Sequence, residues 1–458
     1  MTIKLKLCAA VVSATLVGAV NAQPLQEELQ HLVKTHPLLK ASEYAIDAAE
    51  QRSMAAQRAR LPKLRLTGRK GREAVESESY LPDDAFVLGN NGTGPAQFSD
   101  LSTTKYGISA EMPIYHGGAI YNRIKRTELE TDLSKLNEAS ATQNVLLEGI
   151  TAYLQVARFM TLIELTKENE RSTQNQLELE RKRVEAGGGV EVDAMQAKTR
   201  LQIVRERSVF YRQALRDAMT NYEQVFGRAP VLSQLQALNV YSQALPADVE
   251  SAIAQLSQLS PDIKISQTRV EIANTGVAQA KAAYLPKFDL VASRNEDENG
   301  NMLSSRTDKF LGVRMNWEFS LGGESIYTKR AAASAFQEQK QKSINVRNKV
   351  TEAVRIAWNQ VENGQERVDL LTDASEISES VMLNRKKLRD AGKETALSVL
   401  DAEVEYYGVL ASRVNAVYDT RINSYRLLAA MGKLTPGTIG LEGDFKLPVK
   451  PLSTDLSK

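Results

Sequence analysis

Residues 313–323 read VRMNWEFSLGG, and residues 106–118 read YGISAEMPIYHGG. In the first stretch Val313, Met315, Trp317, Phe319 and Leu321 alternate with Arg314, Asn316, Glu318 and Ser320. In the second, Tyr106, Ile108, Ala110, Met112 and Ile114 alternate with Gly107, Ser109 and Glu111. A period of two sustained this long predicts a β-strand with one apolar and one polar face. Each stretch ends in Gly-Gly and enters a long region without proline, Ile114 to Ala229 in one case and up to Thr435 in the other. A strand feeding a long helical region therefore occurs twice.

Upstream the doubling continues. Pro37 and Pro261 each open an alanine-rich helical stretch that ends in Leu-Pro-Lys, at Leu61–Lys63 and at Leu285–Lys287. Pro37 precedes Pro62 by the same interval as Pro261 precedes Pro286. Downstream, Gly117-Gly118, Gly187 and Gly227 answer Gly322-Gly323, Gly392 and Gly432 without a gap. The copies differ in length only between Leu-Pro-Lys and Gly-Gly, which marks a loop there. After Leu-Pro-Lys come shorter outgoing strands, Leu64–Thr67 in one copy and Phe288, Leu290 and Ala292 in the other. The connection from Val75 to Ser102 is long and polar, and Asn299-Gly300 is a turn signal in its counterpart.

The equal-length part has a helical rhythm. Leu146, Ile150, Tyr153, Ala157 and Met160 step by four and three, as do Val350, Val354, Ala357 and Val361. That period predicts helices packed in a coiled-coil manner. A single helix from Gly118 to Ala186 would reach about 100 Å at 1.5 Å per residue. The glycines at 187–189 and at 392 are natural reversal points.

Residues 1–22 have the form of a secretory signal peptide: Lys4 and Lys6, an apolar run from Leu7 to Val20, and a small-residue site before Gln23. The only cysteine, Cys8, lies inside it, so the exported chain is expected to have no thiol chemistry. The net charge of +2 vanishes without Lys4 and Lys6, and nothing in it points to nucleic acid. No later run of 18 apolar residues predicts a transmembrane helix. His31, His36 and His116 are scattered, and no nucleophile, P-loop or dinucleotide motif is present, so neither an enzyme nor a cofactor is expected. Asp297 to Asn301 is only faintly like a calcium loop and lacks its terminal ligand.

Amphipathic strands of this length suit a membrane barrel with a wet lumen. An ordinary half-buried sheet shows the same alternation, and the helical rhythm alone fits a periplasmic coiled-coil rod. Export without a transmembrane helix favours the barrel. Two hairpins supply four strands, whereas single-chain barrels have at least eight, and open edges do not face lipid. A spanning sheet of four strands therefore needs further copies. Two copies would close a narrow barrel that side chains fill, and three would leave a passage.

The whole mature chain resembles the TolC family of outer-membrane efflux and secretion proteins. The resemblance rests on the paired Pro37 and Pro261, the paired Leu-Pro-Lys and Gly-Gly, and the tip segments Arg183–Ala197 and Leu388–Ala402. It implies a mainly α fold with a membrane β part. Long coiled-coil hairpins would form an α-barrel, and four strands per chain would enter a 12-stranded trimeric β-barrel in the outer membrane. Expected segments are repeat 1 over 23–227, with strands near 63–75 and 103–115 and a helical hairpin over 118–227. An equatorial linker spans 228–260. Repeat 2 spans 261–434, with strands near 287–295 and 309–321 and a hairpin over 323–434. A tail occupies 435–458.

The implied function is a passive exit duct in outer-membrane lipid with a large periplasmic extension. Its implied partners are a periplasmic adaptor and an inner-membrane ABC or proton-driven transporter. The absence of a lipid-bearing cysteine and the segment NYEQVFGRAP, residues 221–230, resemble the type I protein-secretion branch, with small-molecule efflux as the alternative. Matching the family's entrance acids puts one at Asp401, while the second falls on Ser398; Asp193 occupies the corresponding place at the first tip. Gly187, Gly188 and Gly392 match the adaptor-contact tips. Glu111, Arg314 and Glu318 are expected to line the lumen. An acid such as Asp193 also stabilises a helix N-terminus without any gating role.

Overall fold

The computed structural model describes residues 25–77, 97–232, 246, 248–299, 305–319 and 321–438. The signal peptide, most of the long first loop and the end of the tail lie outside the described residues. Eight helices and four strands follow in the order α1 (Leu25–Thr35), α2 (Pro37–Arg58), β1 (Lys63–Ser77), β2 (Gln97–His116), α3 (Ala119–Glu185), α4 (Glu191–Phe226), α5 (Val249–Leu259), α6 (Pro261–Ala282), β3 (Lys287–Asn299), β4 (Ser305–Asn316), α7 (Glu324–Asp390) and α8 (Ala396–Ala430).

The elements fall into two series of matching length. α1 and α5 each have 11 residues, α2 and α6 each have 22, and α3 and α7 each have 67. The return helices α4 and α8 have 36 and 35. A short helix precedes Pro37 and another precedes Pro261, so the stretch expected as a linker over 228–260 carries α5. Asp248 caps α5 by accepting from the Ser251 N–H at 2.7 Å.

Two compact units divide the chain. The first, residues 1–43, 137–264 and 347–458, is a helical assembly. Its core joins Leu29 and Leu32 of α1, Leu146, Ile150, Tyr153 and Leu154 of α3, Tyr222 and Phe226 of α4, and Leu428 of α8. Each such side chain contributes about 1.5–3 kcal/mol on burial. Gly149, the lone glycine within α3, sits where a Cβ would meet Leu32 Cδ2 at 2.5 Å, so its missing side chain leaves room for the α1 leucines. One window of α3 is apolar enough to cross a bilayer, but half of it is buried in this fold, where it belongs to that core. The seams hold polar ties as well: Arg158 of α3 donates to Asn415 at 2.7 Å and to Asp419 at 2.9 Å on α8.

The second unit, residues 44–136 and 265–346, holds the sheet and the helical segments nearest it. Lys135 of α3 pairs with Glu50 of α2 at 3.0 Å, and Ser266 of α6 meets Ser343 of α7 at 2.9 Å. The sheet is antiparallel throughout, in the order β1-β2-β3-β4. The second hairpin reaches further than expected: β3 continues to Asn299 and β4 starts at Ser305, so Asp297 is a strand residue and not part of a loop. β4 also ends sooner. Its last partner is Asn316, opposite Lys287. Pro286 cannot donate a further ladder bond. Trp317 instead donates its indole N–H to Tyr284 O at 3.2 Å and lies 4.6 Å from the Phe319 ring. Glu318, expected within that strand, therefore lies outside the ladder and is exposed.

Candidate functional site: helical tips and amphipathic sheet

Both helical hairpins reverse through the same motif. Gly187 has φ 76° and Gly392 has φ 71°, a conformation that costs a side-chain-bearing residue roughly 1–2 kcal/mol. Gly187 N–H donates to Val184 O and Gly188 N–H to Arg183 O, both at 3.0 Å. Gly392 N–H donates to Arg389 O and Lys393 N–H to Leu388 O, both at 2.9 Å. These paired bonds satisfy carbonyls that a helix end leaves without partners. Gly187 and Gly392 are thus required by the turn itself, whereas Gly188 is not, since Lys393 makes the equivalent bond in the second turn.

Past the turns the helices restart differently. Thr395 caps α8, its hydroxyl accepting from Ser398 N–H at 3.3 Å and lying 2.9 Å from the Ser398 hydroxyl. Ser398, the position where an entrance acid was expected, is a capping partner. Val190 begins α4 without a side-chain cap, and Glu191 and Asp193 fall in the first turn of α4. There a negative charge stabilises the helix N-terminus by about 0.3–1 kcal/mol. Asp401 lies two residues beyond Val399 on α8 and accepts from Arg200 of α4 at 2.8 Å. With 54% of the Asp401 side chain exposed, water screens this pair. The guanidinium nevertheless offsets the charge of the expected entrance acid.

A buried polar cluster close to the tips went unnoticed in the sequence. Glu403 of α8 is 1% exposed. Lys386 of α7 lies 2.6 Å from its Oε1, and Ser172 of α3 donates to the same oxygen at 2.7 Å. Arg389 of α7 donates to Gln176 of α3. Glu403 Oε2 has no hydrogen-bond partner among the described residues. Burial, followed by the Glu403 and Glu168 charges, pushes the Tyr407 hydroxyl up to about 12. The cluster ties α3, α7 and α8 together. Its signal was a carboxylate in the seam: Ala396, Val399, Leu400 and Glu403 follow the three-four step of buried positions on α8.

The sheet separates its faces by register. Leu64 and Leu66 of β1, Tyr106 and Ile108 of β2, Leu290 of β3, and Leu311, Val313 and Met315 of β4 share one face and are exposed. Leu311 is 78% exposed. Leaving so much apolar surface in water is costly at about 25 cal/mol per Å². The rings of Tyr115 and Phe288, 6.3 Å apart, stand at the helix-proximal end of this face. The opposite face carries Lys63, Arg65 and Arg69 of β1, Lys105 and Glu111 of β2, Asp289 and Asp297 of β3, and Arg306, Asp308 and Arg314 of β4. Glu111 and Arg314 lie together on this polar face and form an ion pair across β3. Both edges of the described sheet, β1 and β4, lack a strand neighbour.

Comparison with known proteins agrees with this architecture. The chain is 24% identical over 374 residues to the outer membrane efflux protein BepC of Brucella suis, covering 81% of each chain. It is 23% identical over 323 residues to the alkaline protease secretion protein AprF of Pseudomonas aeruginosa, covering 68% of this chain and 66% of that one. Its fold matches the Campylobacter jejuni CmeC outer membrane channel with a TM-score of 0.75 at 15% identity, over 89% of this chain and 85% of the other. BepC and CmeC are named as outer-membrane efflux and channel proteins and AprF for protein secretion, none as an enzyme, and the resemblance read from the paired motifs holds. The model of the family described as "Outer membrane efflux protein" matches residues 29–228 and 252–433, and the chain belongs to that outer-membrane family.

Proposed function

We propose that the chain is one third of a trimeric exit duct, with its sheet in the outer membrane and its helical tips toward an adaptor and an inner-membrane transporter. The observation that carries this reading is the four-stranded sheet with one exposed apolar face, one charged face and two open edges. In hydrocarbon each unpaired edge group would cost several kcal/mol. Joining β4 of one copy to β1 of the next removes every edge, and three copies make twelve strands. The polar face then lines water, with Glu111 and Arg314 in the lumen and Glu318 at its helix-proximal rim. Gly187, Gly188 and Gly392 form the docking tips. Asp401, moderated by Arg200, and Asp193 stand at the entrance, with Ser398 as a capping residue.

Within this reading the cargo is protein delivered by an ABC-type transporter. The segment at residues 221–230 and the similarity to AprF, named for alkaline protease secretion, support it. Small-molecule efflux is the second reading, favoured by the broader similarity to BepC. Fractionation with semi-native electrophoresis tests the duct: a trimer in the outer-membrane fraction is expected, and a soluble periplasmic monomer would refute it. Deleting the gene then separates the branches. Loss of a secreted protein with unchanged drug sensitivity is expected, and the opposite pattern would establish the efflux reading.

A further inference from the structure

The charges on the polar face of the sheet do not balance, and most of the excess of cations sits on β1, with Lys287 of β3 adding to it. Among the described residues, every acid there has a cation beside it. Glu111 meets Arg314. Asp289 stands opposite Arg314 and hydrogen-bonds His116 at 2.7 Å, Asp297 meets Lys105 at 3.4 Å, and Asp308 meets Arg306 at 3.1 Å. Arg65 and Arg69 of β1 are left over, exposed and without an acid partner among the described residues, and Lys63 faces only Glu111, which Arg314 already holds. The register adds a second observation: Arg69 stands directly opposite Lys105. Like charges at opposed positions destabilise a sheet by several tenths of a kcal/mol or more. The lone acid in that row, Asp297, is shared with Lys105.

We propose that Lys63, Arg65 and Arg69 form a cationic stripe on the wet face of the barrel that attracts polyanions, in particular acidic polypeptide segments, and repels cationic solutes. The inference rests on the trimeric-duct reading, which turns this face inward and repeats the stripe three times around one lumen. Converging charges between low-dielectric walls focus the potential and raise the local concentration of counter-charged solute. Rings of arginine and lysine are the usual means by which pores favour anions. The stripe lies on the strands and not at the helical tips, so it acts whether or not the periplasmic entrance is open.

The test uses the purified full chain in planar bilayers, with an oligoglutamate peptide added to each side in turn and an oligolysine peptide of equal length as comparison. Wild-type current should be blocked by oligoglutamate from the strand side and not by oligolysine, and the block should weaken as salt rises. In the K63Q/R65Q/R69Q variant the half-blocking concentration should rise about tenfold or more. Arg65→Gln alone should give a smaller shift and Arg65→Lys almost none. Semi-native electrophoresis confirms that each variant still assembles. A conducting wild type that ignores oligoglutamate, or that oligolysine blocks equally, overturns the stripe and leaves the duct standing. A wild type that forms no pore overturns both.

Discussion

Lys386→Met should loosen the helical tips. Glu403 is 1% exposed, and its Oε2 already lacks a partner among the described residues. The Lys386 ammonium at 2.6 Å is the only positive group recorded against Oε1 among the described residues. Removing it leaves a buried carboxylate held by the Ser172 hydroxyl at 2.7 Å and by Gln176 at 3.5 Å. Breaking a buried pair in this way costs about 3–5 kcal/mol. The Lys386 side chain is 28% exposed, so water reaches one side of the pair, and the expected loss is about 2–4 kcal/mol. Because the lysine joins α7 to α8 and α3, the loss should be local. Amide hydrogen exchange over residues 383–390 should accelerate, while exchange in the core around Ile150 and Tyr153 stays slow. Replacing both members, Lys386→Met with Glu403→Leu, should recover most of the loss, because no charge then remains buried. A single variant whose tip exchange matches wild type, or a double variant as loose as the single, would refute the reasoning.

Three further outcomes follow from the same geometry. Asp401→Ala should change single-channel conductance or its acid dependence, since it leaves Arg200 unopposed; an unchanged record across pH would reduce Asp401 to a helix-end residue. Gly392→Ala should destabilise the second tip by about 1–2 kcal/mol, since alanine is strained at φ 71°, and should raise proteolysis near residues 390–394. The Tyr407 hydroxyl titrates near 12 in the folded chain, against an ordinary value near 10. Its contribution is complete below pH 10 and is lost as pH rises from about 10 to 12, worth about 1–2 kcal/mol after allowance for its partial burial. Tyr407→Phe should remove that part of the alkaline destabilisation measured by circular dichroism.

What could be read from the sequence was whatever recurs along the chain. Apolar steps of three and four gave α3 and α7, alternation gave the sheet faces, and glycine with a positive φ gave both turns. All are properties of local backbone and side-chain direction. Ladder ends were harder, because they depend on a partner strand: β4 stops at Asn316 because β3 begins after Pro286, which the sequence 313–323 does not reveal by itself. Ion pairs were harder still. Arg200 and Asp401 lie far apart in sequence, and only the packing of α4 on α8 brings them to 2.8 Å. Ser398 looked like a missing acid because the first-turn role of its hydroxyl needs the observed cap at Thr395. Glu403 carried a signal in its seam position, yet its partners come from two other helices.

The most direct test is the mass of the assembly extracted from the outer membrane in detergent, measured by native mass spectrometry. The duct requires three chains per particle, because four strands per chain close a twelve-stranded barrel only in threes. A particle of three chains is the expected result. A monomer, or a stable assembly of any other number, would contradict the account.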